Sequence, residues 1–298
     1  MFLRQIQVRA FCSSIPLPQK FPAKQVTINV GALAVAMGAG SLLYDYLSGR
    51  NLEKITESIG QDLSWDDEWD RYVRVPKEVH EDIKRWFISP DVDMVKERED
   101  FDEANDIGAR DILMVRHGQY ITEEARFGHL TDLGKEQAAL TGARLKELLQ
   151  GRKVRCIFHS SMERAKETAE QISKHFPGVP LKETPILSEA IPAIPDPPSA
   201  NCPEFVEEEA MRLEKAFRTF FARPIGEGSN ESVDIIVGHG NCFRFFVCRA
   251  MQIDPRYWLR MSIYNCGISW VDLDASGRVS VRGVGDIGHL PRSKLTYS

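Results

Sequence analysis

The sequence lacks the cysteine spacing of a zinc-binding or disulfide-bonded domain. Its 298 residues include six cysteines, scattered without a CxxC pair. A structural zinc site or a disulfide framework needs paired spacings, so neither is predicted and a reducing compartment is expected. The chain also has no GxxxxGK[ST] motif, and therefore no phosphate loop of that type.

Acidic residues are missing from the first 44 positions, which carry four basic residues. Residues 1–25 combine Arg, Ser and Gln without an acid, a composition typical of a mitochondrial targeting segment. A disordered tail has the same composition, so this pattern alone leaves both interpretations open.

Charge of either sign is missing from residues 26–44. The run is close to the roughly 20 residues that a helix needs to cross a bilayer core. Small residues such as the pair Ala34 and Gly38 would allow close helix packing in lipid. We predict a transmembrane anchor; the alternative is a buried soluble helix, against which the three glycines of the run count.

Residues 45–109 are predicted to form a polar linker with one aromatic and acidic island. The island reads Trp65-Asp66-Asp67-Glu68-Trp69-Asp70, and its tryptophans would share one helix face because they lie four positions apart. Protein partners commonly bury aromatic anchors surrounded by charge, although the same turn could pack on its own domain. Acids outnumber bases in this region, so it is not predicted to bind nucleic acid.

Strand and helix patterns alternate from about Arg110 to the C-terminus. This order predicts an α/β domain over residues 110–298: a three-layer sandwich whose mostly parallel central sheet is flanked by helices. A final pair of alternating strands around Ala-Ser-Gly predicts an antiparallel edge. The predicted strands are 112–115, 154–158, a short one ending near 187, 233–237, 268–273 and 279–284; the predicted helices are 132–149 (N-cap Thr131), one ending at 177–178, 204–222 and an apolar one after 241.

Two histidines and two arginines are placed just beyond predicted strand ends. Arg116 and His117 follow the first strand, Arg164 follows the second, and His239 follows the fourth. Ligands of such sheets bind outside the carboxyl ends of the strands, so these side chains are expected to converge. Ser160 with Glu163 matches a capping box, which would place Arg164 in the first turn of a helix.

These residue types predict a site for phosphate chemistry. Guanidinium groups match phosphate oxygens, and a neutral imidazole can attack phosphorus. We assign His117 as the nucleophile, His239 as a hydrogen-bond donor to the transferring group, and Glu189 as the proton donor to the leaving oxygen. Asn241, two positions after His239, is a further candidate for substrate binding. Neither a metal nor a cofactor is expected, because the cationic groups supply the positive field.

Each of these residues alone has an ordinary structural interpretation. A histidine at a strand end is commonly a structural hydrogen-bonder, and Glu189 or Arg164 alone would be a surface residue. The joint pattern carries the prediction.

The same residues resemble the histidine phosphatase superfamily, whose signature is RHG after the first strand. The resemblance covers residues 111–289. It rests on Arg116-His117-Gly118, the Leu-Thr-x-x-Gly-x-x-Gln-Ala stretch from Leu130, the Ser-Ser-Met-x-Arg-Ala stretch from Ser160, and Gly238-His239. It implies a phosphoglycerate mutase-like fold and a metal-independent reaction through phosphohistidine. Arg116, Arg164 and His239 would line the phosphate pocket, and Glu189 would donate the proton.

The anchor, the tryptophan island and the Ile-Pro-Ala-Ile-Pro-Asp-Pro-Pro loop together resemble the mitochondrial serine/threonine phosphatases of the phosphoglycerate-mutase family. This resemblance implies phosphoprotein substrates, an inner-membrane anchor, and dimers that assemble further through Trp65, Asp66, Trp69 and Asp70. Glu68 stands where those proteins have Asn.

Two other functions remain open at the level of sequence. A small-molecule phosphatase or mutase would share the RHG cluster, although the chain continues as Gly118-Gln119-Tyr120 rather than as the Gly-Glu-Ser expected of mutases. A membrane-tethered scaffold with a vestigial pocket would use the tryptophan island alone. An isolated cluster of repelling cations has no physical role in a scaffold, which favours an enzyme.

Overall fold

The computed structural model describes residues 90–122, 128–199, 202, 206–224 and 228–297. The strands are β1 (Ile107–Arg116), β2 (Lys153–Ser160), β3 (Leu181–Thr184), β4 (Asn230–Gly238), β5 (Ile268–Asp274) and β6 (Val279–Asp286). The α-helices are α1 (Val92–Asn105), α2 (Asp132–Leu148), α3 (Glu163–Ser173), α4 (Glu207–Phe220) and α5 (Gly240–Ala250), and 3-10 turns span Pro185–Leu187, Pro255–Arg260 and Arg292–Lys294.

The strands of the described residues form one mixed sheet with the order β3-β2-β4-β1-β5-β6. The pairs β3-β2, β2-β4 and β4-β1 are parallel, whereas β1-β5 and β5-β6 are antiparallel. Arg116 pairs with Gly238 and His159 with Val237, so the carboxyl ends of β1, β2 and β4 lie at the same edge of the sheet. The predicted parallel sheet with an antiparallel edge is confirmed.

The two faces of the sheet are covered by different helices. Ile112 and Met114 of β1 pack in one cluster with apolar residues of α4 and α5, while Leu113 and Val115 pack in another with α2 and α3. Successive side chains of a strand point to opposite faces, so a continuous apolar run supplies both layers. The predicted three-layer sandwich is therefore the observed architecture.

A buried charge network attaches α1 to the sheet. Asp102 of α1 forms an ion pair with Arg110 of β1, and both side chains are fully buried. Arg98 of α1 donates a hydrogen bond to the carbonyl of Thr219 in α4, and burial lowers the pKa of Arg98 to about 9. Since buried charges are tolerated only with partners, this network fixes α1 in place. The sequence pattern began the first strand at residue 112, but β1 begins at Ile107.

Local sequence signals located most of the other elements. The Thr131 hydroxyl accepts the N–H of Gly134, as expected of the N-cap of α2. The hairpin of β5 and β6 turns through Gly277, whose φ is +86°. Helix α3 ends at Ser173, four positions before the predicted end at Pro177. The N–H groups of His175 and Phe176 bond to carbonyls three residues earlier, as in a 3-10 turn.

The predicted targeting segment (1–25), the predicted anchor (26–44) and the tryptophan island lie outside the described residues. None of the helices in the described part of the chain is long and apolar enough to cross a membrane.

Candidate active site

The site lies where β1, β2 and β4 end. The backbone N–H of His117 donates to the carbonyl of Gly238 at 2.9 Å, which joins the end of β1 to the end of β4. His239 then serves as the N-cap residue of α5. On the other side, Asn265 donates its side-chain N–H to the His117 carbonyl at 3.1 Å. The nucleophile candidate is thus held by strand pairing and by the loop that precedes β5.

The two ring nitrogens of His117 have different partners. Nδ1 lies 2.8 Å from the carbonyl oxygen of Gly118, and because a carbonyl only accepts, Nδ1 carries the hydrogen. Nε2 lies 3.2 Å from Nε of Arg164, which donates to it. Burial, together with the charges of Arg116 and Arg164, holds the pKa of His117 well below its usual value. The neutral ring therefore presents an Nε2 lone pair beside a guanidinium.

Arg164 occupies the first turn of α3, as the sequence predicted. Its side chain is buried, and Cζ lies 4.7 Å from the centre of the Tyr120 ring. The Tyr120 ring also meets the His117 ring edge-on, with centroids 5.2 Å apart. Tyr120 therefore packs against both groups, and sequence reasoning had not assigned it to the site.

The predicted capping box at Ser160 and Glu163 is wrong. The N-cap residue of α3 is Met162, and it makes no side-chain cap hydrogen bond. The Ser160 hydroxyl instead lies 2.9 Å from Nε2 of His239, and both side chains are buried. A serine that resembled a helix cap is therefore part of the site, because β2 runs on to Ser160 and brings it beside β4.

Arg116 is held by backbone carbonyls at the rim of the site. Its Nη1 donates to the carbonyl of Ile263 at 2.7 Å and to that of Tyr297 at 3.1 Å. The Tyr297 ring centre lies 5.7 Å from Cζ of Arg116. The loop before β5 and a residue close to the C-terminus thus position one of the two predicted phosphate-binding arginines.

Glu189 follows the turn after β3 and is half-buried. Burial raises the pKa of the Glu189 carboxyl, while Arg116 and Arg164 act in the opposite direction. Arg212 of α4 donates to the carbonyls of Ile186 at 2.9 Å and Ser188 at 2.8 Å and so fixes this turn. A raised pKa favours the protonated carboxyl, which is the form that a general acid requires.

Arg244 is a component of the site region that the sequence pattern did not reveal. It lies in α5, buried at 7% exposure, and donates to Asn241 Oδ1 at 3.1 Å and to the Tyr297 hydroxyl at 2.6 Å. Its positive charge partly offsets the rise that burial causes in the pKa of Glu189. The same charge adds to the lowering that burial causes in the pKa of Arg116. Asn241, the predicted substrate-binding residue, thus accepts from Arg244. The helix was taken as apolar, and its pattern gave no signal for an inward-facing arginine.

Among the described residues, one group has ligand atoms close enough together to hold a metal ion: His129, Glu163 and Glu167. His129 Nδ1 lies 2.7 Å from a carboxylate oxygen of Glu167, whose other oxygen accepts the N–H of Leu130 at 2.6 Å. His129 and Glu167 already pair with each other, and Glu163 pairs with Lys166, so we assign the group no role in the chemistry.

The structure brings the five predicted residues close enough to shift one another's pKa values: His117, Arg164, His239, Arg116 and Glu189. The rings of His117 and His239 lie 5.2 Å apart between centroids. Burial and the nearby positive charges hold the pKa of His239 well below its usual value. Two neutral imidazoles, two guanidiniums and a carboxyl form a site suited to a phosphate group.

The sequence model described as histidine phosphatase superfamily, branch 1, matches residues 112–192 and 192–284. The chain belongs to this superfamily. The matched region contains the Arg116-His117-Gly118 signature and every catalytic candidate, so the family prediction is confirmed.

This histidine phosphatase is also similar to curated proteins over most of its length. It is 40% identical over 239 residues to a mouse protein named serine/threonine-protein phosphatase PGAM5, mitochondrial, which covers 78% of this chain and 81% of that protein. A Drosophila pseudoobscura protein of the corresponding name is 35% identical over 285 residues, covering 89% and 94%. Among solved structures, a phosphoglycerate mutase of Plasmodium falciparum matches at 38% identity with a TM-score of 0.46, covering 64% of this chain and 99% of that one.

Proposed function

We propose that this histidine phosphatase removes phosphate from serine and threonine side chains of proteins through a phosphohistidine at His117. The observation that carries the proposal is the pairing of His117, whose Nδ1 donates to Gly118 while Nε2 lies beside Nε of Arg164. The 35% to 40% identity to proteins named serine/threonine-protein phosphatases supports the substrate class.

In the first step, Arg116 and Arg164 bind the phosphoryl oxygens. Nε2 of His117 attacks phosphorus as the bond from phosphorus to the serine or threonine oxygen breaks. Glu189, whose pKa is raised by burial, donates a proton to the departing oxygen. The charge that builds on the transferring group is stabilised by the two guanidiniums and by His239.

In the second step, the Glu189 carboxylate accepts a proton from water. The oxygen of that water forms a bond to phosphorus while the bond to Nε2 of His117 breaks, so inorganic phosphate leaves and both side chains return to their starting states. The residues of this chain supply each proton transfer in the cycle, and no metal step is included.

The test is phosphoenzyme trapping with the full-length chain. Wild-type protein is mixed with a phosphoserine peptide carrying labelled phosphate and quenched in alkaline detergent, in which phosphohistidine survives. The label should be present in wild type and in His175→Ala, a histidine outside the site, and absent in His117→Ala. A wild type that turns over substrate without acquiring label would contradict the mechanism.

A second arm addresses the substrate class. Turnover of phosphoserine and phosphothreonine peptides is compared with turnover of 3-phosphoglycerate. We expect a higher kcat/KM on the peptides. A preference for the small molecule would instead support a small-molecule phosphatase or mutase, while loss of all turnover would support a scaffold.

We further propose that residues 1–25 direct the chain to mitochondria and that residues 26–44 anchor it in the inner membrane. The uncharged run and the acid-free start support this, as does the word mitochondrial in the names of the relatives. A charge near the middle of a membrane helix costs about 3 kcal/mol on insertion. Val35→Lys should therefore release the protein on carbonate extraction, whereas Gln25→Lys should not.

We also propose that the tryptophan island assembles dimers into larger homo-oligomers. Two tryptophans four positions apart, surrounded by acids, offer one aromatic face for a second copy of the chain. Trp65→Ala or Trp69→Ala should lower the sedimentation coefficient in detergent, with Trp86→Ala, outside the island, as the control. An unchanged coefficient in both island variants would exclude this role.

A further inference from the structure

The neutral ring of His239 holds one hydrogen, which can be on Nδ1 or on Nε2. Nε2 lies 2.9 Å from the hydroxyl oxygen of Ser160. Nδ1 is buried and has no hydrogen-bond partner among the described residues. The tautomer of His239 therefore decides whether Nδ1 is a hydrogen-bond donor or an acceptor.

The surroundings of Ser160 favour one tautomer. Ser160 is fully buried, and its oxygen already accepts the backbone N–H of Met162 at 3.3 Å. Among the described contacts of the Ser160 hydroxyl, only Nε2 of His239 can accept its hydrogen. If Ser160 donates to Nε2, the ring hydrogen of His239 must be on Nδ1.

The opposite tautomer leaves more groups without partners. With the hydrogen on Nε2, both the Ser160 O–H and the Nδ1 lone pair of His239 would be buried without a hydrogen bond. Each such group costs about 1 to 3 kcal/mol. With the hydrogen on Nδ1, only that N–H lacks a partner, and a bound ligand with acceptor oxygens would provide one.

We propose that Ser160 is a positioning residue that fixes the hydrogen of His239 on Nδ1, so that this nitrogen donates to the transferring phosphoryl group. The oxygens of a phosphate monoester dianion are acceptors only, so a nitrogen that binds one must carry a hydrogen. The His239 ring meets the His117 ring edge-on, with centroids 5.2 Å apart. The inference rests on the proposed function for its catalytic meaning, but the tautomer itself is measurable without activity.

The first test is nuclear magnetic resonance of the full-length chain labelled with 15N in histidine. Long-range proton–nitrogen spectra distinguish the two tautomers, and His239→Gln identifies the signals of this residue. We expect a protonated Nδ1 in wild type. A hydrogen on Nε2 in wild type would overturn the proposal.

The second test uses variants that differ only in the hydroxyl. Thr and Val have nearly the same shape, so Ser160→Thr should keep the Nδ1 hydrogen whereas Ser160→Val and Ser160→Ala should lose the preference. The rate of phosphoenzyme formation should fall about 10- to 100-fold in the Ala and Val variants and recover to within a few-fold of wild type in the Thr variant. Ser161→Ala, whose hydroxyl faces Ser188 at the surface, is the control.

The outcomes separate the two proposals. A wild type that has the Nδ1 hydrogen but takes no label at His117 contradicts the proposed mechanism and leaves the role of Ser160 in the tautomer intact. Ser160→Ala with an unchanged tautomer and an unchanged labelling rate would overturn the inference while the phosphohistidine mechanism stands.

Discussion

Nε of Arg164 donates to Nε2 of His117 across 3.2 Å. The two residues follow the ends of different strands. Their hydrogen bond holds the nitrogen that we assign as nucleophile beside the guanidinium that would bind the transferring phosphoryl group. A fixed guanidinium can donate in parallel to ring and phosphate, which an ammonium cannot do with the same geometry.

Arg164→Lys tests this geometry, because it retains the charge and removes the forked donor. We expect kcat on a phosphopeptide to fall about 100-fold, with a smaller change in KM, since the lost donor acts mainly on the transition state. Steady-state kinetics measures kcat and KM. The control is Lys166→Met, a substitution on the same helix. Full activity in the Lys variant would show that charge alone suffices.

Arg244→Met tests the proton donor through pH dependence. The positive charge of Arg244 lowers the pKa of Glu189, so its removal should raise that pKa further. A general acid is active when protonated, and the rate falls as pH rises through its pKa. The alkaline limb of kcat/KM against pH should therefore move to higher pH. Arg249→Met, whose guanidinium pairs with Glu214, is the control; a limb that moves to lower pH would contradict the role of Glu189.

Asp111→Asn tests a buried carboxyl far from the chemistry. Burial and a hydrogen bond with Asp272 raise the pKa of Asp111 to about 7. Between pH 4 and 7 the folded protein thus binds more protons at this residue than the unfolded chain, so the free energy of unfolding falls as pH rises through that range. The Asn variant should lose this decline and become more stable than wild type by about 1 kcal/mol at pH 8.

Urea unfolding at pH 5 and pH 8 measures the effect, with Asp100→Asn, an exposed residue of α1, as the control. An identical pH slope in wild type and Asp111→Asn would show that Asp111 ionises normally.

Asp102→Ala tests the attachment of α1. The substitution removes the nearer of two carboxylates that pair with the buried guanidinium of Arg110 and leaves Asp234 at 3.9 Å, which is already paired with Arg155. Breaking a buried pair in this way costs about 3 to 5 kcal/mol. The midpoint of denaturant unfolding should fall accordingly, while Asp100→Ala on the same helix should change it little. A small loss for Asp102→Ala would mean that α1 contributes little to the folded domain.

Sequence patterns located the elements and named the reacting groups. A continuous apolar run predicted β1, because a buried parallel strand needs apolar residues on both faces. The end of that run placed Arg116 and His117 at the edge of the sheet where ligands bind. Thr131 and the Ala-Ser-Gly turn located a helix start and a hairpin, since caps and turns depend on a few adjacent residues. The nucleophile, both arginines and the carboxyl candidate were all assigned at that level.

Only the tertiary structure decided how these groups are oriented. Ser160 and His239 lie 79 residues apart, and the register of β2 against β4 makes them partners. Arg244 approaches the site from a helix whose pattern appeared apolar, and Tyr297 reaches Arg116 from near the chain end. The sequence fixes periodicity and local chemistry, whereas a contact between distant residues depends on how whole strands and helices pack. A short sequence pattern therefore cannot predict such a contact.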